Sequence, residues 1–158
     1  MRPITFSCEA TLTAPPEVIS NQILDLGLWS GFRGYGPLPG IRSAEFETRT
    51  PEVIGTRIRV TDTDGSTHTE EFVGWDPERQ VQLRMADFTP PLSRLAVEFL
   101  ETWEFAREGP DTRVVRSFAL YPRSALTRPA VMLISILLKR AIVRHLRDMK
   151  AMTDAVRQ

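Results

Sequence analysis

The last part of the chain, residues 129–158, most constrains the fold, because it contains no glycine and its only proline is its first residue, Pro129. Proline at the first helical position costs nothing, since its missing N–H would have no partner there. The stretch is therefore predicted to form one helix about 45 Å long, at about 1.5 Å per residue. Its first half is apolar nearly all round. Its second half carries one apolar stripe, formed by Leu138, Ile142, Leu146, Met149, Met152 and Val156.

The chain ahead of this helix alternates between apolar and polar residues as strands do. From Ile4 to Leu12 every second residue is apolar, which predicts a strand with one buried face. Two short helices, starting near Pro16 and Leu26, and a glycine-rich loop at 31–40 follow it. Six further strands are predicted at 41–49, 54–63, 66–75, 80–87, 94–107 and 112–121.

The connections between these strands are short, and short connections join antiparallel neighbours because parallel strands need long crossovers. One connection, Asp64-Gly65, is a strong hairpin signal. The sequence therefore predicts an α+β fold with a single domain over residues 1–158. A curved, seven-stranded antiparallel sheet wraps around the long C-terminal helix, and the two short helices lie between the first and second strands.

The composition excludes several classes of protein. Lys+Arg and Asp+Glu balance at 20 each, so we expect no nucleic-acid partner. Only two of the basic residues are lysine, Lys139 and Lys150, a bias typical of GC-rich bacterial genomes. The single cysteine, Cys8, and two distant histidines give no familiar metal-ligand spacing. Since no segment resembles a signal peptide or a membrane span, we expect a cytoplasmic bacterial protein without metal or cofactor.

The geometry of each turn decides which side chains face the helix. A two-residue turn at 64–65 would point Glu71 inward and leave His68 and Glu70 facing water. On the helix, His145 is predicted at the edge of the apolar stripe, partly buried against the sheet. The expected cavity between sheet and helix is lined by Leu83, Met85, Phe99, Glu101, Trp103, Arg116, Phe118 and Leu138.

Three charged side chains, Glu71, Glu101 and Arg116, are predicted to face this apolar interior. A charge in such a place is costly unless it is paired or hydrated. In the hairpin predicted for the last two strands, Glu101 lies directly opposite Arg116, within reach of an ion pair. The alternatives are a structural ion pair, an anchor for a ligand, and acid–base catalysis in which Asp87, at the end of the fifth strand, joins them.

Several short segments also fall at characteristic places in this order of elements. They are Ala14-Pro15-Pro16-Glu17-Val18, Trp29, Val53-Ile54-Gly55-Thr56-Arg57, Trp75-Asp76-Pro77 and Thr112-Arg113-Val114. Together they resemble the SRPBCC superfamily, which includes START lipid-transfer domains, polyketide cyclases and relatives of the birch-pollen allergen. The resemblance implies the helix-grip fold, with seven antiparallel strands, two short helices and a cavity between the sheet and the long helix.

Three functional hypotheses follow, because a fold of this kind hosts carriers, receptors and enzymes alike. The first is binding of a hydrophobic or aromatic small molecule in the cavity. The second is a polyketide cyclase/dehydratase-like enzyme, with Glu71, Glu101 or Asp87 as acid or base and Arg116 as the partner of an oxyanion or a carboxylate. The third uses the apolar start of the last helix, residues 131–138, as a homodimer interface or a transient membrane contact.

Overall fold

The computed structural model describes residues 1–157 and contains one seven-stranded antiparallel sheet in the order β1-β7-β6-β5-β4-β3-β2. From β2 onward each strand pairs with the next along the chain, and β1 pairs with β7. The predicted fold class is confirmed. The strands are β1 (Ile4–Leu12), β2 (Ile41–Thr48), β3 (Arg57–Asp62), β4 (Thr67–Asp76), β5 (Gln80–Ala86), β6 (Ala96–Glu108) and β7 (Asp111–Pro122).

Two short helices connect β1 to β2, as predicted. The first, α1 (Pro16–Ile23), begins with proline at its first position, and the second is a 3₁₀ helix (Leu26–Gly31). The carboxylate of Asp25 accepts a hydrogen bond from the Gly27 backbone N–H at 3.2 Å and caps the 3₁₀ helix. A further short helix, α2 (Leu92–Leu95), precedes β6, where the sequence predicted a loop up to residue 93 and a strand from residue 94.

The long helix α3 (Arg128–Arg157) crosses the concave face of the sheet and packs most closely on β1. Its last predicted residue, Gln158, lies outside the described residues. The Thr13 hydroxyl donates to Asp154 at 2.8 Å and joins the end of β1 to the end of the helix. No helix within residues 1–157 is long and apolar enough to cross a membrane.

The inner side of α3 completes the hydrophobic core. The buried residues of the helix are Val131, Ser135, Leu138, Ala141, Ile142, Leu146, Met149 and Thr153. They meet fully buried sheet residues such as Phe72 and Phe118. Each large apolar side chain buried in this way contributes about 1.5–3 kcal/mol. The sheet and the helix therefore hold each other in place over most of the length of the helix.

The apolar start of α3, predicted as a single interaction surface, divides into two parts. Val131 and Leu138 are buried, and Ile134 lines the interior cavity. Only Met132, Leu133 and Ile136 of this run are large exposed apolar residues. Any interaction surface at the start of the helix is consequently formed by these outward residues.

The register predicted for β3 and β4 is wrong by one residue. The turn is closed by Asp62 and Ser66, because the Asp62 N–H donates to the Ser66 carbonyl at 2.8 Å. Three residues therefore lie in the loop instead of two, and Gly65 takes a positive φ of 88° there. A shift of one residue exchanges the two faces of a strand. Glu70, predicted to face water, is consequently buried, and Glu71 faces outward.

The register predicted for β6 and β7 is wrong by two residues, which leaves the faces unchanged. Glu101 lies opposite Phe118, and Trp103 lies opposite Arg116. The reason is a tight turn after Glu108, where Gly109 takes a positive φ of 64°. An even shift keeps every side chain on its predicted face. Glu101 and Arg116 thus become diagonal neighbours that both point into the interior.

Candidate functional site

A cavity of about 660 Å³ lies between the concave face of the sheet and α3. Sites for small organic ligands usually measure about 300–1,000 Å³, so this one can hold a molecule of several rings. All eight residues predicted to line it are on its wall: Leu83, Met85, Phe99, Glu101, Trp103, Arg116, Phe118 and Leu138. The sheet forms one side of this wall and α3 the opposite side, and the short helices, the glycine-rich loop and the connection between β5 and β6 complete it.

The glycine-rich loop forms one edge of the cavity. Gly34 has a φ of 72°, and a Cβ atom at this position would overlap the carbonyl oxygen of Leu38. The tight turn that glycine permits here directs Phe32 and Leu38 toward the cavity, where both are part of the wall. Tyr35 of the same loop lies outside the cavity, where its hydroxyl is 3.0 Å from Arg140 Nη1.

Arg116 is at the centre of the first polar group on the cavity wall. Its Nε donates to Glu101 Oε2 at 2.8 Å, and its Nη2 lies 2.6 Å from the same oxygen. Its Nη1 donates to His145 Nδ1 at 2.8 Å. The guanidinium carbon lies 4.0 Å from the centre of the Trp103 ring, a cation–π contact. The expected Glu101–Arg116 ion pair is therefore present, and it also connects the sheet to α3.

Burial of Glu101 raises the pKa of its carboxyl group, because the surroundings disfavour a charge. The positive charge of Arg116 lowers that pKa, and the negative charge of Glu70 raises it further. Only Oε2 of Glu101 contacts Arg116, and the nearby side chain of Trp103 also lowers the pKa of this carboxyl group. Glu101 is thus a buried carboxyl group with a raised pKa on the cavity wall.

His145 is held as a neutral imidazole in a defined tautomer. Arginine only donates hydrogen bonds, so the ring nitrogen that contacts Arg116, Nδ1, must be the acceptor. The proton of the neutral ring is therefore on Nε2. Burial and the nearby charge of Arg116 lower the pKa of His145 to about 3. The side chain is partly buried on the cavity wall, as predicted.

His68 is the centre of a second polar group, on β3 and β4. Its Nε2 lies 2.9 Å from Glu70 Oε2, and its Nδ1 lies 3.6 Å from Asp62 Oδ2. Burial alone would lower the pKa of His68, but hydrogen bonds and charge interactions with the two carboxylates raise it to about 9. At neutral pH the ring is consequently an imidazolium with a carboxylate on each side. All three side chains line the cavity.

The prediction that His68 lies on the outer face of the sheet is therefore wrong. No sequence motif marks the group of His68, Glu70 and Asp62, but the position of Phe72 indicates which face His68 and Glu70 are on. Phe72 is fully buried, and Glu70 and His68 lie two and four residues before it. Since side chains on a strand alternate with a period of two, the buried Phe72 places both of them on the inner face.

Two of the predicted acid–base candidates, Glu71 and Asp87, lie outside the cavity. Both bind Arg57 on the outer face of the sheet, with Nη1 3.1 Å from Glu71 and Nη2 3.3 Å from Asp87. The one-residue shift in register turned Glu71 outward. Asp87 follows the end of β5, and its side chain is largely exposed. Neither residue faces the cavity in which a ligand would lie.

Two buried polar atoms on the cavity wall have no hydrogen-bond partner within the described residues. They are the indole Nε1 of Trp103 and the amide Oε1 of Gln22. Buried polar groups are seldom left without partners. Among residues 1–157 there is also no cluster of three His, Cys, Asp or Glu side chains placed to hold a metal ion. The polar side chains of the cavity thus lie on a mainly apolar wall.

An antiparallel sheet that grips one long helix, with a ligand-sized cavity between them, defines a helix-grip protein. The chain belongs to the family described as "Polyketide cyclase / dehydrase and lipid transport", whose model matches residues 3–152. This finding agrees with the SRPBCC resemblance of the sequence. No curated protein sequence matches the chain.

Solved structures share the whole fold at low sequence identity. The ZhuI aromatase/cyclase from a Streptomyces species superposes with a TM-score of 0.76 at 16% identity, covering 98% of this chain and 96% of that one. A protein from Thermus thermophilus, TTHA0849, gives 0.71 at 19% identity over 98% and 100%. The major latex-like protein 151 of Panax ginseng gives 0.71 at 11% identity over 97% and 99%. At such identities the likeness establishes the fold alone.

The ion pair at the cavity can be tested with a double-mutant cycle at Glu101 and Arg116. The Arg116→Met variant should lose about 3–5 kcal/mol of stability, because it leaves a buried carboxylate without its partner. Combining it with Glu101→Gln should recover much of this loss. The free energies of unfolding, measured by chemical denaturation at pH 7, should therefore be strongly non-additive.

The exposed pair of Arg113 and Glu9, with 2.6 Å between Nε and Oε2, provides the matched control. Water screens this pair, so the same two substitutions there should show almost no coupling. Additive losses at Glu101 and Arg116 would contradict the buried ion pair.

Proposed function

We propose that this protein binds a hydrophobic or aromatic small molecule in the cavity, with a polar group of the ligand directed toward Arg116 and His145. The observation that carries this proposal is the cavity itself, at about 660 Å³, with two buried charged groups on an otherwise apolar wall. In a tightly packed apolar core, these charged side chains would cost desolvation free energy and contact no ligand. Few polar groups on apolar walls are typical of ligand sites, where they fix the ligand's orientation.

The free N–H of His145 indicates which polar group of the ligand fits the cavity. His145 presents its Nε2–H, since its Nδ1 already accepts from Arg116. A ligand oxygen that accepts hydrogen bonds, such as a carbonyl or a phenol oxygen, would suit this donor. Aromatic residues on the same wall, including Phe88 and Phe99, favour a flat ring system.

Binding can be measured with the neutral fluorescent probe N-phenyl-1-naphthylamine, whose emission rises in an apolar site. The probe should bind the native protein, and an apolar competitor should displace it. The Met85→Trp variant fills the cavity from β5 and should weaken probe binding about tenfold or more, because the added ring takes up space that the probe needs.

The matched control is Val97→Trp, which places the same side chain on an exposed position of β6. This variant should bind the probe as the native protein does. If the native protein does not bind the probe, or if both variants bind it equally well, the cavity is not the binding site and the proposal fails.

Acid–base chemistry on a polyketide-like substrate is the second candidate, and one observation favours it. His68 and Glu101 face the same cavity, and both have displaced pKa values. Such groups cluster at catalytic sites. The family description includes polyketide cyclase, and one structural neighbour is an aromatase/cyclase. In this proposal Glu101 takes a proton from carbon beside a ligand carbonyl, and the N–H groups of Arg116 and His145 stabilise the enolate oxygen.

Proton abstraction can be followed as deuterium exchange into the methyl group of an aromatic methyl ketone in D₂O, measured by NMR. The protein should accelerate exchange, and Glu101→Gln should reduce the acceleration by about 10²-fold or more, as expected for loss of a general base. Glu71→Gln is the matched control, because Glu71 is on the outer face, and it should leave the rate unchanged. If exchange is no faster than in buffer, the catalytic proposal is wrong and only the ligand-binding proposal remains.

A further inference from the structure

The outward side of α3 carries an exposed apolar patch that neither the core nor the cavity uses. Leu133 is 59% exposed and Ile136 is 50% exposed, and Met132 and Val143 are also exposed. At 100° per residue, all four lie within one side of the helix. Scattered exposed apolar residues are normal, but neighbours on one helical face form a continuous surface.

The charged residues on this part of α3 are all positive. From Arg128 to Arg147 the helix contains no Asp or Glu. The cations follow the apolar patch along the helix. The apolar residues and the cations together are called the outer face of α3: Met132, Leu133, Ile136, Val143, Lys139, Arg140, Arg144 and Arg147. Among residues 1–157 none of these four cations has a carboxylate within ion-pair distance, and the nearby Asp148 is bound to Arg33 at 2.9 Å.

This one-sided charge is unusual because the chain as a whole has a formal net charge of +0. Half of the other surface arginines are in ion pairs, as Arg57 is with Glu47, Glu71 and Asp87. A shallow depression between the glycine-rich loop and α3 adds Tyr35 to the outer face, where its ring lies 5.6 Å from the guanidinium carbon of Arg140. The outer face thus combines a positive potential with exposed apolar side chains.

A second copy of the chain does not suit this face. A two-fold dimer brings the same patch of both copies together, so the four cations would meet four like charges. Like charges placed across an interface are costly. An anionic lipid surface has the complementary charge, and its acyl region accepts apolar side chains. Peripheral contacts with membranes combine these two contributions, because anionic lipids attract the cations and the acyl boundary buries the apolar side chains.

We propose that the outer face of α3 docks on membranes containing anionic lipids. Lys139, Arg140, Arg144 and Arg147 attract the headgroups, and Leu133 and Ile136 enter the boundary of the acyl region. The contact is peripheral, since no helix within residues 1–157 can cross a bilayer. Ile134 and Leu137 line the cavity one residue after Leu133 and Ile136, so docking would bring this side of the cavity near the lipid. The docking itself does not depend on what the cavity binds.

Co-sedimentation with vesicles tests the charge requirement. The protein should bind phosphatidylcholine vesicles that contain phosphatidylglycerol, should not bind pure phosphatidylcholine vesicles, and should be released as salt is raised. The double variant Lys139→Gln with Arg147→Gln should bind about 25-fold more weakly, because each cation near an anionic surface is worth about 1 kcal/mol, or about fivefold. The control Arg42→Gln with Arg79→Gln makes the same change in net charge at exposed positions away from α3 and should bind normally.

The apolar requirement is tested with Leu133→Ser combined with Ile136→Ser, which should bind about tenfold more weakly. Its control, Ile54→Ser with Val97→Ser, alters two equally exposed apolar residues elsewhere. All four side chains are exposed, so circular dichroism should show native folding. The proposal is overturned if the protein does not bind anionic vesicles, or if it binds both vesicle types equally. It is also overturned if the test and control variants lose binding equally. If the native protein binds no vesicles but is a dimer, and the double variant Leu133→Ser with Ile136→Ser is a monomer, the outer face is a self-association surface instead.

Discussion

The buried guanidinium of Arg116 is the constraint on which the cavity depends. Its charge lies in an apolar interior, where it is stable only with partners. One partner, Glu101, is on the neighbouring strand, and the other, His145, is on α3. The separation between sheet and helix at this point is therefore fixed by hydrogen bonds of 2.8 Å through a long side chain. A cavity remains beside this bridge, where smaller apolar residues alone would have packed together.

The two histidines show how the cavity wall controls charge locally. Both are shielded from water, yet the pKa of His68 is raised to about 9 and that of His145 is lowered to about 3. Burial disfavours the charged ring in each case. The difference comes from their partners, because His68 is between two carboxylates and His145 faces a guanidinium. A bound molecule would therefore meet a positive, paired imidazolium on one side and a neutral N–H donor on the other.

The sequence was sufficient for the fold and for most of the cavity wall. The helix without glycine or interior proline and the chain of short hairpins determine the architecture, and the apolar wall follows from alternation along β5, β6 and β7. The error at β6 and β7 did no harm, since a shift of two residues keeps the faces. For this reason the Glu101–Arg116 ion pair was predicted correctly, although the predicted register was wrong by two residues.

The charges on β4 were not predictable in the same way, because the alternation is broken there. A bulge between Phe72 and Gly74 lets both Phe72 and Trp75 pack against the core, although they are three residues apart. Counting back from Trp75 points Glu71 inward, whereas counting back from Phe72 points Glu70 and His68 inward. The two-residue turn assumed at 64–65 agreed with the phase of Trp75, and the sequence does not mark the bulge that separates this phase from that of Phe72. The tautomer of His145 also depends on a tertiary contact with Arg116, which local sequence does not encode.

The side-chain nitrogen signals of the two histidines test the buried networks most directly, since they report the charge and tautomer of each ring at the cavity wall. Long-range ¹H–¹⁵N NMR spectra recorded as a function of pH, with His68→Gln and His145→Gln variants for assignment, distinguish the two rings. We expect His68 to remain doubly protonated until the pH approaches about 9. We expect His145 to be the neutral Nε2–H tautomer until the pH falls toward about 3. Titration of both rings together near the ordinary histidine pKa of about 6.5 would contradict the buried networks on which the cavity depends.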